Sequence, residues 1–143
     1  MTVHQISIFL ENKCGKMPQI LNLLSASNIR IIAATVADTS EYGILRIIVN
    51  DPLLAYQILK ENNVSANLTD VLAIVTDSDA SGFSRTLQAF TEAGLNIEYM
   101  YCFSIRDKSI LILRTNNRET ALQVIRSHQM HYVSESDLKR IDE

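Results

Sequence analysis

Residues 44–52 read Ile44-Leu45-Arg46-Ile47-Ile48-Val49-Asn50-Asp51-Pro52, and residues 110–118 read Ile110-Leu111-Ile112-Leu113-Arg114-Thr115-Asn116-Asn117-Arg118. Each is a short apolar run that ends in a residue suited to capping a helix. The two runs lie 66 residues apart, and the same offset sets Ile8 on Ile74, Leu21 on Leu87 and Ile31 on Ile97. It also sets Asn50 on Asn116, Ala55 on Ala121 and Gln57 on Gln123. Apolar positions coincide throughout without a gap, so the chain reads as an internal duplication. The expected domains are residues 1–68 and 69–143. Units this small bury a limited share of their surface and often need a neighbour.

Each unit reads alike. Ile6–Leu10 and Leu72–Thr76 are apolar runs with strand character, followed by the polar loops Glu11–Lys16 and Asp77–Gly82. Met17, Ile20, Leu21 and Leu24 then recur at helical spacing, with Phe83, Thr86, Leu87 and Phe90 as counterparts. Asn28 and Gly94 stand at the helix exits, where a left-handed residue is commonly needed. Second strands are expected over Ile29–Ala37 and Leu95–Phe103, hairpin turns over Ser40–Gly43 and Arg106–Lys108, and third strands over Ile44–Val49 and Ser109–Thr115. Asp51 and Asn117 cap second helices, and Val64–Asn67 and His131–Ser134 are expected as fourth strands. The order β-α-β-β-α-β, twice, is the ferredoxin-like arrangement. It predicts an α+β protein of two tandem antiparallel sheets, each with its helices on one face. Ile97, Tyr99, Tyr101 and Phe103 share one parity and Met100 and Cys102 the other, so both faces are apolar. Ile31, Ala33 and Ala37 likewise oppose Ile32, Ala34 and Val36. The helix-free face is therefore expected to be covered, most simply by a second copy of the chain.

Composition narrows the function. The net charge is −3 and the pI about 5.6, which gives no electrostatic reason to expect nucleic acid or anionic lipid. No apolar run of about 18 residues is present, so no membrane helix is expected. No secretory signal is visible at the start. Cys14 and Cys102 have no metal or redox spacing, which suits a reducing cytoplasm.

The loop after the first strand and the entry to the second carry a family resemblance. The first unit has Glu11-Asn12-Lys13-Cys14-Gly15-Lys16-Met17. The second has Asp77-Ser78-Asp79-Ala80-Ser81-Gly82-Phe83 and then Gly94-Leu95-Asn96-Ile97. These stretches, within a duplicated βαββαβ pattern, are similar to those of ACT domains. That family has an Asx-x-Pro-Gly-x-Leu turn and a Gly-x-Asn-Ile-like step. Cys14 and Ala80 stand where the family has proline, and Ser81 stands at the glycine position.

The resemblance implies a ligand held at a seam between paired units, where one unit's first loop meets the strand entry of another. Residue by residue, the first unit keeps Asn12 and Gly15 in its loop but has Arg30 at strand entry. The second keeps Asn96 at strand entry but has Ser78 in its loop. The principal site implied is Asn12, Cys14, Gly15, Lys16 and Met17 with Asn96 and Ile97. A second candidate site combines Ser78, Ser81, Gly82 and Phe83 with Arg30 and Ile31. The ligand implied is a free amino acid: amides can both donate and accept, and the N–H groups at a helix start suit a carboxylate. Tyr99 and Tyr101 would shape a side-chain pocket if their face lies at the seam.

Blander readings stand beside these. Asn12 and Asn96 are also good turn formers, and Arg30 is as readily a solvated charge. Asp77–Gly82 resembles the first half of a calcium loop, but Gln88 stands where the bidentate acid is required. Gly15-Lys16 lacks the residues of a phosphate loop. His128 and His131, with Glu135 and Asp137 beyond, read more simply as a solvated helix end than as a metal site. No cofactor is implied. No nucleophile–base pair, metal cluster or acid pair emerges, so no enzyme is expected. The leading expectation is a cytoplasmic, allosteric amino-acid sensor. It would be a homodimer joined through sheet edges or the helix-free face, acting on a separate target enzyme. The alternative is an assembly module of the same fold that binds no ligand.

Overall fold

The computed structural model describes residues 2–11, 15–38, 42–105 and 107–140. The chain divides into two units, each an α+β module of the expected kind. The N-terminal module gathers His4–Thr69 and takes in residues 138–140; the C-terminal module gathers Asp70–Asp137 and takes in residues 2–3. In the first lie β1 (Thr2–Glu11), α1 (Lys16–Ser25), β2 (Ile31–Asp38), β3 (Tyr42–Val49) and α2 (Pro52–Glu61). β4 (Ala66–Asp77) leads into the second, which holds α3 (Ala80–Glu92), β5 (Ile97–Ile105), β6 (Lys108–Thr115) and α4 (Arg118–Ser127). A short α5 (Glu135–Lys139) follows. The strand at the centre of each pairing is the third of its unit: β3 lies antiparallel between β1 and β2, and β6 between β4 and β5.

The helices of each module pack on one sheet face. Ile6, Ile8, Leu45 and Ile47 meet Ile20 and Leu24 of α1 and Ala55 and Leu59 of α2. The offset of 66 carries these onto Leu72, Ile74, Leu111 and Leu113 under Phe90 of α3 and Ala121 and Ile125 of α4. Helix boundaries follow the capping residues. Asp51 accepts from the Leu54 N–H at 3.2 Å, and Asn117 from the Thr120 N–H at 3.1 Å. Asn28 and Gly94 both leave their helices in the left-handed region, at φ 60° and 78°.

Three expectations are corrected. The fourth strand placed at Val64–Asn67 and the next first strand are one continuous strand, β4, which no glycine or proline interrupts. Its entry is held to β1 by the Phe9 N–H, which donates to the Ser65 carbonyl at 3.0 Å. The strand at His131–Ser134 reduces to a bridge, Ile74 to Tyr132, flanked by 2.9 Å bonds from Val75 N to His131 O and Val133 N to Ala73 O. It is cut short by Ser134 and Asp137, which form a reciprocal capping box for α5.

The third correction concerns parity. Register shifts fall between Ile31 and Ala33 and between Ile97 and Tyr99. Ile97 therefore packs with the helix-side core, while Tyr99 and Tyr101 pair with Arg114 and Ile112 on the other side. On the helix-free face Ala73 and Ile112 of one module, and Gln5 and Ile48 of the other, are buried. Of the turns expected at Ser40–Gly43 and Arg106–Lys108, residues 40, 41 and 106 lie outside the described residues; Tyr42, Gly43 and Lys108 belong to strands and Asp107 to a turn.

Leu138 of α5 is 1% exposed and belongs to the N-terminal module despite its distance in sequence. Leu138→Ala is expected to lower the unfolding free energy by about 2–4 kcal/mol, as a cavity in a packed core does. Urea unfolding of the two proteins would measure it; a loss under about 0.5 kcal/mol, the range of ordinary surface substitutions, would mean the tail contributes nothing to that core.

Candidate functional site

Asn50 and Asn116, identical across the duplication, prepare the strand entries. The Asn50 side chain accepts from the Arg30 N–H at 2.7 Å, and the Asn50 N–H donates back to the Arg30 carbonyl at 3.1 Å. Asn116 treats Asn96 in the same way, at 3.0 and 3.3 Å. The backbones of Arg30 and Asn96 are thus fixed while both side chains project from exposed positions. Sequence reading placed weight on Arg30 and Asn96 and passed over the two asparagines that hold them. Their identity at the offset was the available signal.

Arg30 has a structural partner. Its guanidinium donates to the Lys139 carbonyl at 3.2 Å, at the end of α5. A cation there meets the carbonyl end of the helix. Ile31, at the start of β2, is 38% exposed.

The two loops differ more than their sequences suggest. In the N-terminal module β1 ends at Glu11, and Asn12 and Cys14 lie outside the described residues. Gly15 is the N-cap of α1 at φ 86°, a left-handed position that glycine tolerates without strain. It has no side chain with which to cap the helix, and the first turn carries no acid. Pro18 has no N–H to satisfy. Lys16 and Met17 therefore open a helix whose positive end no acidic side chain of its own first turn meets. Lys16 is exposed and Met17 packs partly on the core.

In the C-terminal module the helix begins earlier, with Asp79 as N-cap. The Asp79 carboxylate accepts from the Gly82 N–H at 2.8 Å and from the Ser81 hydroxyl at 3.0 Å. Those two bonds, the Gly82 one foremost, hold its pKa below the ordinary 3.8. Ser78 donates to the Asp107 carbonyl at 3.1 Å and accepts from the Ser109 hydroxyl at 3.2 Å. Lys108 pairs with Asp77, which raises its pKa above 10.5. Phe83 turns toward the module core. The structure thus brings Ser78, Ser81, Gly82 and Phe83 together, and their polar groups are already engaged with each other and the adjoining strand.

A pocket of about 380 Å³ opens beside the N-terminal loop. Phe9, Leu10, Ile20, Tyr42 and Val64 form its walls, and Glu11 and Lys16 stand at its rim. Asn62 and Asn63 close one side, Asn63 at φ 59° and Asn62 bonded to the Ile58 carbonyl at 2.8 Å. This α2–β4 turn was absent from the sequence-predicted site. Tyr99 and Tyr101, offered from sequence as pocket residues, lie half-buried in β5.

Comparison with known proteins shows what the chain is similar to. A family model described as ACT domain pair matches residues 1–142. A solved protein of Bacteroides thetaiotaomicron shares 34% identity at a TM-score of 0.93, with 98% of this chain and 97% of that chain covered. The regulatory subunit of aspartate kinase from Thermus thermophilus, in a ligand-free form, shares the fold at 19% identity and a TM-score of 0.58, covering 87% and 91%. The same subunit from Thermus flavus gives 19% and 0.59, covering 89% and 93%. No curated protein matches the chain.

Two outcomes test the self-capped loop. A Cβ on Gly82 would lie 2.9 Å from the Asp77 carbonyl oxygen and from Asp79 Oδ1, so Gly82→Ala is expected to cost about 1–3 kcal/mol in chemical unfolding. A lowered folded pKa for Asp79 means its stabilisation is complete above the unfolded value, about 3.9, and is lost as pH falls through the folded one. Asp79→Ala should therefore unfold at a lower temperature than the parent at neutral pH. The gap should narrow below about pH 4. A gap independent of pH would remove the carboxylate from the account.

Proposed function

Because this chain belongs to the family of ACT domain pairs, we propose that it is a regulatory module that binds a free amino acid at the β1–α1 loop of its N-terminal module. One observation carries the reading. Gly15 opens α1 without a side-chain cap, beside a pocket of about 380 Å³, whereas the equivalent C-terminal loop is closed by its own carboxylate. A ligand carboxylate at the start of α1 would meet backbone N–H groups, the positive helix end and the Lys16 ammonium together. Asn12 and Cys14 complete that loop in the sequence, and Asn96 and Ile97 remain the proposed strand-entry contacts. The loop of Ser78, Ser81, Gly82 and Phe83, with Arg30 and Ile31, is proposed as the weaker or vestigial site.

The module is proposed to catalyse no reaction and to act on a separate protein. A cytoplasmic location belongs to the same reading. No helix among the described residues is long and apolar enough to cross a membrane, and Cys102 is a free, exposed thiol. The assembly reading has its own support in β2, where Ile31 is 38% and Val36 52% exposed. An apolar edge of this kind favours pairing with another strand, as in a homodimer.

Thermal unfolding against a panel of amino acids tests the function. A ligand at about 100 times its dissociation constant adds roughly 2.7 kcal/mol, which moves the midpoint by several degrees. The shift is expected to be selective, and to shrink in Asn12→Ala, Lys16→Ala and Asn96→Ala. No shift with any amino acid, in a chain that sediments as a dimer, would replace the sensor reading with the assembly reading.

A further inference from the structure

The duplication supplies a control for the pocket beside Lys16. Leu10, Ile20, Tyr42 and Val64 of its lining correspond, at the offset of 66, to Thr76, Thr86, Lys108 and Met130. The strand register confirms the equivalence, since Glu11 pairs with Tyr42 as Asp77 pairs with Lys108. In the C-terminal module these positions bond among themselves and to the loop. Thr86 donates to the Gly82 carbonyl at 3.1 Å and lies 3.5 Å from the Thr76 hydroxyl, and Lys108 pairs with Asp77. In the N-terminal module the same positions carry Leu10, Ile20, Tyr42 and Val64 around a pocket of about 380 Å³. Phe9 and Tyr42 meet edge to face there, with ring centroids 6.4 Å apart at 68°.

Apolar walls around an open mouth gain most from an apolar occupant. The rim adds one carboxylate, Glu11, and one ammonium, Lys16. One charge of each sign fits a zwitterion better than a fatty acid or an amine. The volume lies near the lower end of the range of small-molecule sites, about 300–1,000 Å³. Resting on the reading that this module holds a free amino acid, we infer that the pocket selects amino acids with branched aliphatic or aromatic side chains. Lys16 takes the ligand carboxylate, Glu11 its ammonium, and the walls built by Ile20, Tyr42 and Val64 take the side chain. The α2–β4 turn thereby becomes a determinant of specificity.

Calorimetric titration of the full chain with leucine, phenylalanine, alanine, aspartate and lysine tests this. Each buried methylene is worth roughly fourfold in affinity, so leucine and phenylalanine are expected to bind tens of times more tightly than alanine. Tyr42→Lys and Val64→Met install the C-terminal module's residues at positions that are not fully buried. Each should weaken leucine at least about tenfold, a loss of two or so methylene contacts, while the protein stays folded, its unliganded unfolding midpoint moving by only several degrees. 4-Methylpentanoate, which lacks the ammonium, should bind more weakly than leucine in the parent and equally weakly in Glu11→Gln. If aspartate or lysine binds most tightly and neither pocket variant changes it, the pocket inference falls and amino-acid sensing stands. If no amino acid binds, the sensing reading falls and takes the pocket inference with it.

Discussion

Burial of the central strands on both faces constrains the rest of each module. In β6 the consecutive residues Leu111, Ile112 and Leu113 are each fully buried, as are Ile47 and Ile48 in β3. Over such a stretch polar groups are costly, because each unpaired one forfeits its hydration. The polar exceptions confirm the constraint: buried Gln5 donates to Ser7 at 3.2 Å. Chemistry is thereby displaced to the strand ends. Both loops with site character, the Asn50 and Asn116 clips and the pocket all lie there.

That constraint also explains what could be read from the residues. A packed core demands the same volumes at the same places, so apolar positions survived duplication and exposed the 66-residue offset. Caps and left-handed exits are local, and Asp51, Asn117, Asn28 and Gly94 therefore behaved as their residue types predict. Local signals also existed where reading fell short. Ser134 and Asp137 carry the capping-box spacing, whereas the β-α-β-β-α-β pattern leads to the expectation of a strand at His131–Ser134. The β-bulges beside Arg30 and Asn96 were not visible, since a single inserted residue alters parity without altering composition. The pocket was hidden for a different reason. Glu11, Tyr42 and Val64 are far apart in sequence, and nothing in any one segment marks them as neighbours.

The two loops show how one duplicated frame starts its first helix in two ways. Aligned at the offset, α1 begins at Lys16 and its counterpart position is Gly82, yet α3 starts at Ala80. The added half-turn brings Asp79 into the capping position, where its carboxylate takes the Gly82 N–H. Its counterpart in the first loop is Lys13. A helix start favours an anion, and the C-terminal module meets that preference with a group of its own. A tethered carboxylate is held at a high effective concentration and needs no ligand in solution. It also rigidifies the loop, since Ser81 and Gly82 are both bound to it.

In the N-terminal module no side-chain cap of this kind is found among the described residues. Gly15 brings no side chain to the helix start, and the charge that Lys16 adds is of the sign that attracts a carboxylate rather than replaces one. The apolar walls next to it would lose free energy in contact with water if nothing filled them. A module that needed the pocket only for packing would gain by closing it with polar pairs, as Thr76 with Thr86 and Asp77 with Lys108 do in the other copy. Since both copies fold on the same frame, stability alone does not require the open form. On the proposed reading an occupant accounts for its retention, and Glu11 and Lys16 beside the apolar walls suit a zwitterion.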